Sequence, residues 1–257
     1  MSVPGELRIV ALRDFPVVVA RDDLATLTTA ALQRAGLPLQ PADVLVFAQK
    51  VVSKAEGRSI DLATVTPGAT ALELARTVRK DPRLVELILR ESRRIVRAAP
   101  DVLIVEHHLG LIMANAGIDQ SNVADSGGGE LALLLPEDPD ASAARLRARL
   151  GELTGCKPGV IISDSFGRPW RVGTVGVAIG CAGVASTLDL RGQADLFGRP
   201  LRVTVVGHAD ELAAAASVLM GQASEAQPVV LIRGVGPHAP HRPASALQRP
   251  PEQDLFR

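Results

Sequence analysis

The chain has 257 residues, and its 28 Lys and Arg balance 28 Asp and Glu, so the formal net charge is zero. Such a balance gives no global field for nucleic acid or an anionic membrane, and with no Tyr, one Trp and five Phe there is no aromatic platform for stacking bases. The N-terminal MSVPGELRIV lacks signal-peptide character, no apolar run reaches the roughly 18 residues of a membrane span, and two cysteines, Cys156 and Cys181, cannot make a disulfide framework or a CxxC zinc site; a soluble cytoplasmic protein without nucleic-acid or membrane partners is expected.

In chain order, aliphatic runs and helical stripes predict a strand at 7–12, a helix at 22–34, a strand at 44–48, helices at 69–80 and 82–97, and strands at 102–105 and 131–135. A helix at 141–153, strands at 160–162 and 201–206, a helix at 209–220 and a strand at 229–232 follow. In the 82–97 segment Leu84, Leu87, Ile88 and Ile95 make the apolar stripe, which leaves Arg83, Glu86, Arg90, Arg93 and Arg94 as a wet face. Asp140 is placed to cap the helix after it. Strands and helices do not alternate strictly, because 102–105 runs through 110–114 into a long loop, so an α+β mixed sheet assembly is expected rather than a Rossmann sheet. Residues 236–257 are proline-rich and poor in apolar side chains, which divides the chain into a domain at 1–235 and a tail laid along the surface or mobile.

Two polar clusters stand out. SDSFGRPWR, Ser163 to Arg171, follows the apolar run ending at Ile162, and ANAGIDQSN, Ala114 to Asn122, follows another. Read as loops, they bring Asp164 and Asp119 to one cleft, where hard oxygen ligands suit Mg²⁺ or Mn²⁺ completed by waters and substrate phosphates. Asp119 fits an Asx turn equally well on spacing alone. In AQKVVSKAEGR, at 48–58, Lys50 and Lys54 are either point charges for phosphates or ordinary surface lysines. The chain has no Walker A motif, so it is not a P-loop protein, and no GxGxxG, GxSxG or HExxH.

Seven strings in order carry a family resemblance: AQKVVSKAEGR (48–58), KDPRLVELILRES (80–92), ANAGIDQSNV, LLPEDPDASA (134–143), SDSFGRPWR (163–171), DLRGQADLFGRPL (189–201) and ADELAAAASVLMG (209–221). Together they resemble the coenzyme F-420:L-glutamate ligase (F-420-0:γ-glutamyl ligase) family over roughly residues 5 to 235, in a single-domain form without the nitroreductase-like domain.

The resemblance implies a mixed α+β ligase fold and GTP-dependent joining of L-glutamate to coenzyme F-420-0, then of further γ-linked glutamates. The implied route is an acyl phosphate, with GDP and phosphate released. It implies two divalent cations, Mg²⁺ or Mn²⁺, together with K⁺, and a homodimer. By position it assigns Asp119 and Asp164 to a first metal, Ser165 and Gln222 to a second, and Leu12, Arg13, Asp14, Phe15, Gln49, Lys54 and Asn122 to the guanine nucleotide. Thr174, Val175 and Gly176 stand where the family pattern leads one to expect Gln, Thr and Asp. A related acyl-phosphate amide ligase with another acid or amine is the alternative.

Overall fold

The computed structural model describes residues 5–120, 129–236 and 240–254. Strand β1 (Arg8–Ala11), helix α1 (Leu24–Arg34), β2 (Val44–Ala48), α2 (Gln49–Ala55) and β3 (Ser59–Asp61) open the chain. Helices α3 (Ala69–Val78) and α4 (Pro82–Arg90) precede β4 (Ser92–Ala99), β5 (Val102–His107), β6 (Ile112–Ala114) and β7 (Leu131–Leu133). Next come α5 (Pro139–Thr154), the long hairpin of β8 (Gly159–Arg168) and β9 (Arg171–Ala182), then β10 (Leu188–Asp189), β11 (Val205–Val206), α6 (His208–Met220) and β12 (Val229–Arg233).

The central sheet has the order β1-β12-β2-β8-β9. Only the β2–β8 pair is parallel; β12 runs against both β1 and β2, so β1, β2 and β8 all point the same way. Leu45, Phe47, Val160, Ile162 and Leu231 face the core shared with α1 and α5. Their neighbours Val44, Val46, Ile161, Val230 and Ile232 face α6. Helices cover both faces, which is why these strands read as unbroken apolar runs rather than alternating ones. Each such side chain stabilises the fold by about 1.5–3 kcal/mol on burial.

A second layer packs α3 and α4 against the β4-β5-β6 sheet, with Leu84, Val85, Leu87 and Ile88 of α4 meeting Leu103 and Val105 of β5. The result is α+β with several sheets, as the sequence leads one to expect, and it carries neither a Rossmann nor a P-loop arrangement.

Several local expectations are overturned. The 82–97 segment is not one helix: α4 stops at Arg90, where Ser92 Oγ donates to the Ile88 carbonyl at 2.5 Å and the His108 ring meets the Arg90 carbonyl at 2.8 Å. With its last carbonyls taken, the chain turns into β4, an edge strand twice shifted in register against β5. Those irregularities erase the period of two that would have announced a strand. The cap of α5 is Asp138, whose side chain accepts from the Ala141 N–H at 2.9 Å, with Pro139 in the first turn. Asp140 instead binds two other segments: its Oδ1 accepts from Cys181 N–H at 2.8 Å and Ala244 N–H at 2.9 Å. Residues 240–254 therefore pack on the body. Ser186 Oγ donates to the Pro243 carbonyl at 2.6 Å, Ala244 is buried with Leu247 beside it, and Gln248 Nε2 donates to the Leu109 carbonyl at 2.7 Å.

Candidate active site

Because β1, β2 and β8 share a direction, the residues leaving their carboxyl ends meet at one end of the sheet. Ala48 pairs with Ser163 across the parallel β2–β8 ladder. Gln49 and Lys50 at the start of α2 therefore lie one strand spacing, about 5 Å, from the segment that carries Asp164 and Ser165. Leu12 donates its N–H to the Val229 carbonyl at 2.9 Å, which places 12–15 at the same end, roughly 14 Å from β8 across three strand spacings. SDSFGRPWR is not a loop: Asp164 and Ser165 lie inside β8, opposite Val177 and Gly176 of β9. A hairpin strand holds them more rigidly than the expected loop would.

Asp119 comes from the second layer. A tight turn with Asn115, Ala116 and Gly117 all at positive φ (53°, 53° and 67°) redirects the chain after β6. Glycine suits the third of these positions, at φ 67°, where a Cβ would also crowd Met113 and Leu135. Beyond it Asp119 exchanges both backbone hydrogen bonds with Leu133, at 3.0 and 2.8 Å. Its carboxylate then pairs with Lys50 Nζ at 2.5 Å.

The electrostatics tie these groups together. Burial pushes the Asp164 carboxyl up to about 6; the Ser165 N–H, donating to Oδ1 at 2.8 Å, opposes this, the charge of Asp119 adds to it, and Lys50 offsets it. Lys54, one helical turn beyond Lys50, is lowered from 10.5 by burial first and by the like charge of Lys50 second, with Asp119 acting in the opposite sense. Gln222 Nε2 donates to Ser165 Oγ at 3.0 Å and leaves its carbonyl oxygen available beside the hydroxyl.

Two carboxylates, Asp119 and Asp164, thus flank the Lys50 ammonium, and the Gln222–Ser165 pair supplies two neutral oxygens at the neighbouring residue of β8. Among the described residues no three His, Cys, Asp or Glu side chains cluster, so the donor set is all oxygen and incomplete. That fits Mg²⁺ or Mn²⁺, which keep waters and substrate oxygens, and does not fit Zn²⁺.

The other expected nucleotide residues divide. Leu12 and Phe15 are buried in the main core, so only their backbone is offered, while Arg13 and Asp14 are exposed. Asp14 sits at φ 54° and its carbonyl accepts from Arg34 at 3.1 Å. Gln49 is buried, and its Oε1 accepts from Ser53 Oγ at 3.0 Å. Asn122 lies outside the described residues. Lys50, which the sequence left open between phosphate binding and ordinary surface, proves central; its spacing of four from Lys54 on a helix was the available signal. Gly176, where an Asp was expected, is a packing position, since a Cβ there would lie 2.6 Å from the Ala213 carbonyl and 2.8 Å from Ser217 Cβ of α6.

Carboxylates and ammonium groups beside the carboxyl ends of parallel strands make this the candidate active site. The family model described as F420-0:Gamma-glutamyl ligase matches residues 13–234. Coenzyme F420:L-glutamate ligase of Methanothermobacter thermautotrophicus is 46% identical over 253 residues, 98% of this chain and 99% of that protein. The protein of the same name from Methanopyrus kandleri is 47% identical over 255 residues, 96% and 98% of the two chains, and that of Archaeoglobus fulgidus is 40% identical over 251, 98% and 96%. The chain belongs to the F420-0:gamma-glutamyl ligase family.

Proposed function

We propose that this protein is an acid–amino-acid ligase that uses GTP to join the amine of L-glutamate to the carboxylate of coenzyme F420-0. The observation that carries the reading is end-to-end similarity to proteins of that activity. A carboxylate is too poor an electrophile for an amine at neutral pH. Its oxygen attacks the terminal phosphorus of GTP and GDP leaves; the amine then attacks the acyl carbon and phosphate leaves. Further glutamates join through the γ-carboxylate by the same sequence.

Asp119 and Asp164 would hold a first divalent cation, and Ser165 with Gln222 a second; when bound, these ions, Mg²⁺ or Mn²⁺ with K⁺ alongside, neutralise charge on the triphosphate. Lys54 orients the phosphates as a point charge. Lys50 holds the Asp119 carboxylate at the site through its ion pair. Backbone groups at 12–15, Gln49 and Asn122 complete the nucleotide contacts.

Work in the cytoplasm as a homodimer is the companion reading. It is supported by free Cys156 and Cys181 and by the absence, among the described residues, of a helix long and apolar enough to cross a membrane. Trp170, Val172, Leu196, Phe197 and Val203 are largely exposed, a surface that suits a partner subunit. Release of GDP measured with each substrate omitted in turn tests the function. The reading requires that release depend on both F420-0 and glutamate; release that ignores either one contradicts it.

A further inference from the structure

At the other end of the central sheet from Asp164, where β2 and β8 begin, α5, the turn after β9 and the C-terminal segment enclose a cleft of about 500 Å³. Among the described residues its charged or titratable lining is Arg147, Lys157 and His241, with no Asp or Glu. On the same helix Arg145 and Arg149 are spent on Glu56 and Asp23, at 2.7 and 3.0 Å. Arg147 instead donates Nε to the Pro158 carbonyl at 3.0 Å, a contact that orients the guanidinium without neutralising it.

Two glycines leave room for these side chains. Gly183, at φ 70°, lies under Arg147, and a Cβ there would run into the guanidinium Nε. Gly151 lies inside α5, where glycine weakens a helix, and a Cβ there would sit 2.7 Å from Lys157 Cγ. The basic side chains therefore lie across bare backbone, and Arg147 is oriented there before any ligand arrives by its bond to the Pro158 carbonyl. His241 is anchored by Nδ1 to the Val184 carbonyl at 3.1 Å.

We propose that this cleft binds a small phosphate-class oxyanion, either inorganic phosphate or the phosphate end of an organic molecule, at a site separate from the candidate active site. Guanidinium and ammonium groups held on one wall, with no carboxylate opposing them, match that chemistry. The volume leaves room beyond a bare phosphate. The inference does not depend on the ligase reading.

Amide resonances of the full chain, followed by NMR during titration with inorganic phosphate and separately with glycerol phosphate, test it. Saturable shifts are expected at Gly183, Ala182 and Lys157, whatever happens at Ser165 and Gln222. Lys157→Glu, at an exposed position, should raise the Kd read at Gly183 at least tenfold while leaving glutamate addition unchanged. Should that variant fold poorly, Ala148→Glu brings a carboxylate to the same wall from an exposed position on α5. Tighter binding of glycerol phosphate assigns the remaining volume to an organic group, and equal binding assigns the site to free phosphate. No shift at Gly183, or a Kd unmoved by both variants, overturns the proposal.

Discussion

Lys50 and Asp119 form an ion pair, Nζ to Oδ2 at 2.5 Å, that joins the first turn of α2 to the segment leaving the second layer. The pair ties the two layers together at the site, beside the backbone bond from Leu134 to Arg58. Asp164 rides on the central sheet, Asp119 on the smaller one, and the ammonium between them offsets the repulsion that helps push Asp164 up to about 6.

Asp164→Asn should abolish glutamate addition and at the same time stabilise the metal-free protein. The folded-state value of about 6 lies above the ordinary 3.8, so the folded chain binds more protons between those values. Stability therefore falls as pH rises through that interval and stays lower above it. Removing the charge at pH 7 should return about 1–3 kcal/mol, read as a higher melting temperature without metal. Mn²⁺ should then raise the melting temperature of the wild type only. Retained activity, or a melting temperature that falls, would count against a cation-binding role.

Lys54→Met should raise the KM for GTP at least tenfold with little change in that for glutamate, because the half-buried ammonium feels the charges of Lys50 and Asp119 at the end of the sheet where phosphates are proposed to sit. Equal increases for both substrates would indicate a structural role instead.

Glu91 governs the acid limb of stability. The His107 ring, with Nε2 3.6 Å from the carboxylate, holds its carboxyl below the usual 4.5, burial opposes this, and Arg58 at 2.9 Å assists. A depressed value means stability present above the ordinary pKa and lost as pH falls below it. Glu91→Gln should cost on the order of 1 kcal/mol at pH 7 and flatten the loss below pH 4.5. An unchanged acid limb in a denaturant-midpoint series would remove Glu91 from the account.

Gly176→Asp should lower the melting temperature and leave the product pattern alone. The new Cβ meets the Ala213 carbonyl at 2.6 Å, and overpacking of this kind costs about 1–3 kcal/mol before the carboxylate is counted. A changed number of glutamates with unchanged stability would show that the position faces substrate after all.

The C-terminal segment is expected to matter for stability. Asp140→Ala strands the N–H groups of Cys181 and Ala244, to which alanine offers no acceptor. A loss of about 2 kcal/mol, some 4–8 °C for a chain of this size, is expected by calorimetry. No change would mean the tail is held by its other contacts alone.

How far the sequence could be read depended on how each segment is buried. The strands at 44–48, 160–162 and 229–232 were legible because helices cover both their faces, and the stripes of α1, α3 and α6 because one face of each is buried. Ile95 misled, since it falls seven residues after Ile88 and extends a helical stripe that the chain abandons at Glu91. Nothing local signals that His108 will cap Arg90 from 18 residues away. Of the 201–206 run only Val205–Val206 forms a strand, with β10, while Leu201 and Thr204 bond the turn at 190–193 instead of extending the ladder. At the site, Asp164 and Asp119 could be named from their surroundings in the sequence. Their meeting through Lys50 could not, because it depends on the β2–β8 register and on a turn of three left-handed residues.

The most direct test is mass spectrometry of purified F420-0 incubated with the protein, L-glutamate, GTP and Mn²⁺, with GDP quantified in the same sample. Successive glutamyl additions, one GDP per glutamate and none of either once the divalent cation is chelated, is the result this account requires. Absence of any glutamyl product from protein that is folded and saturated with GTP would contradict it, as would glutamate addition that proceeds undiminished in excess chelator.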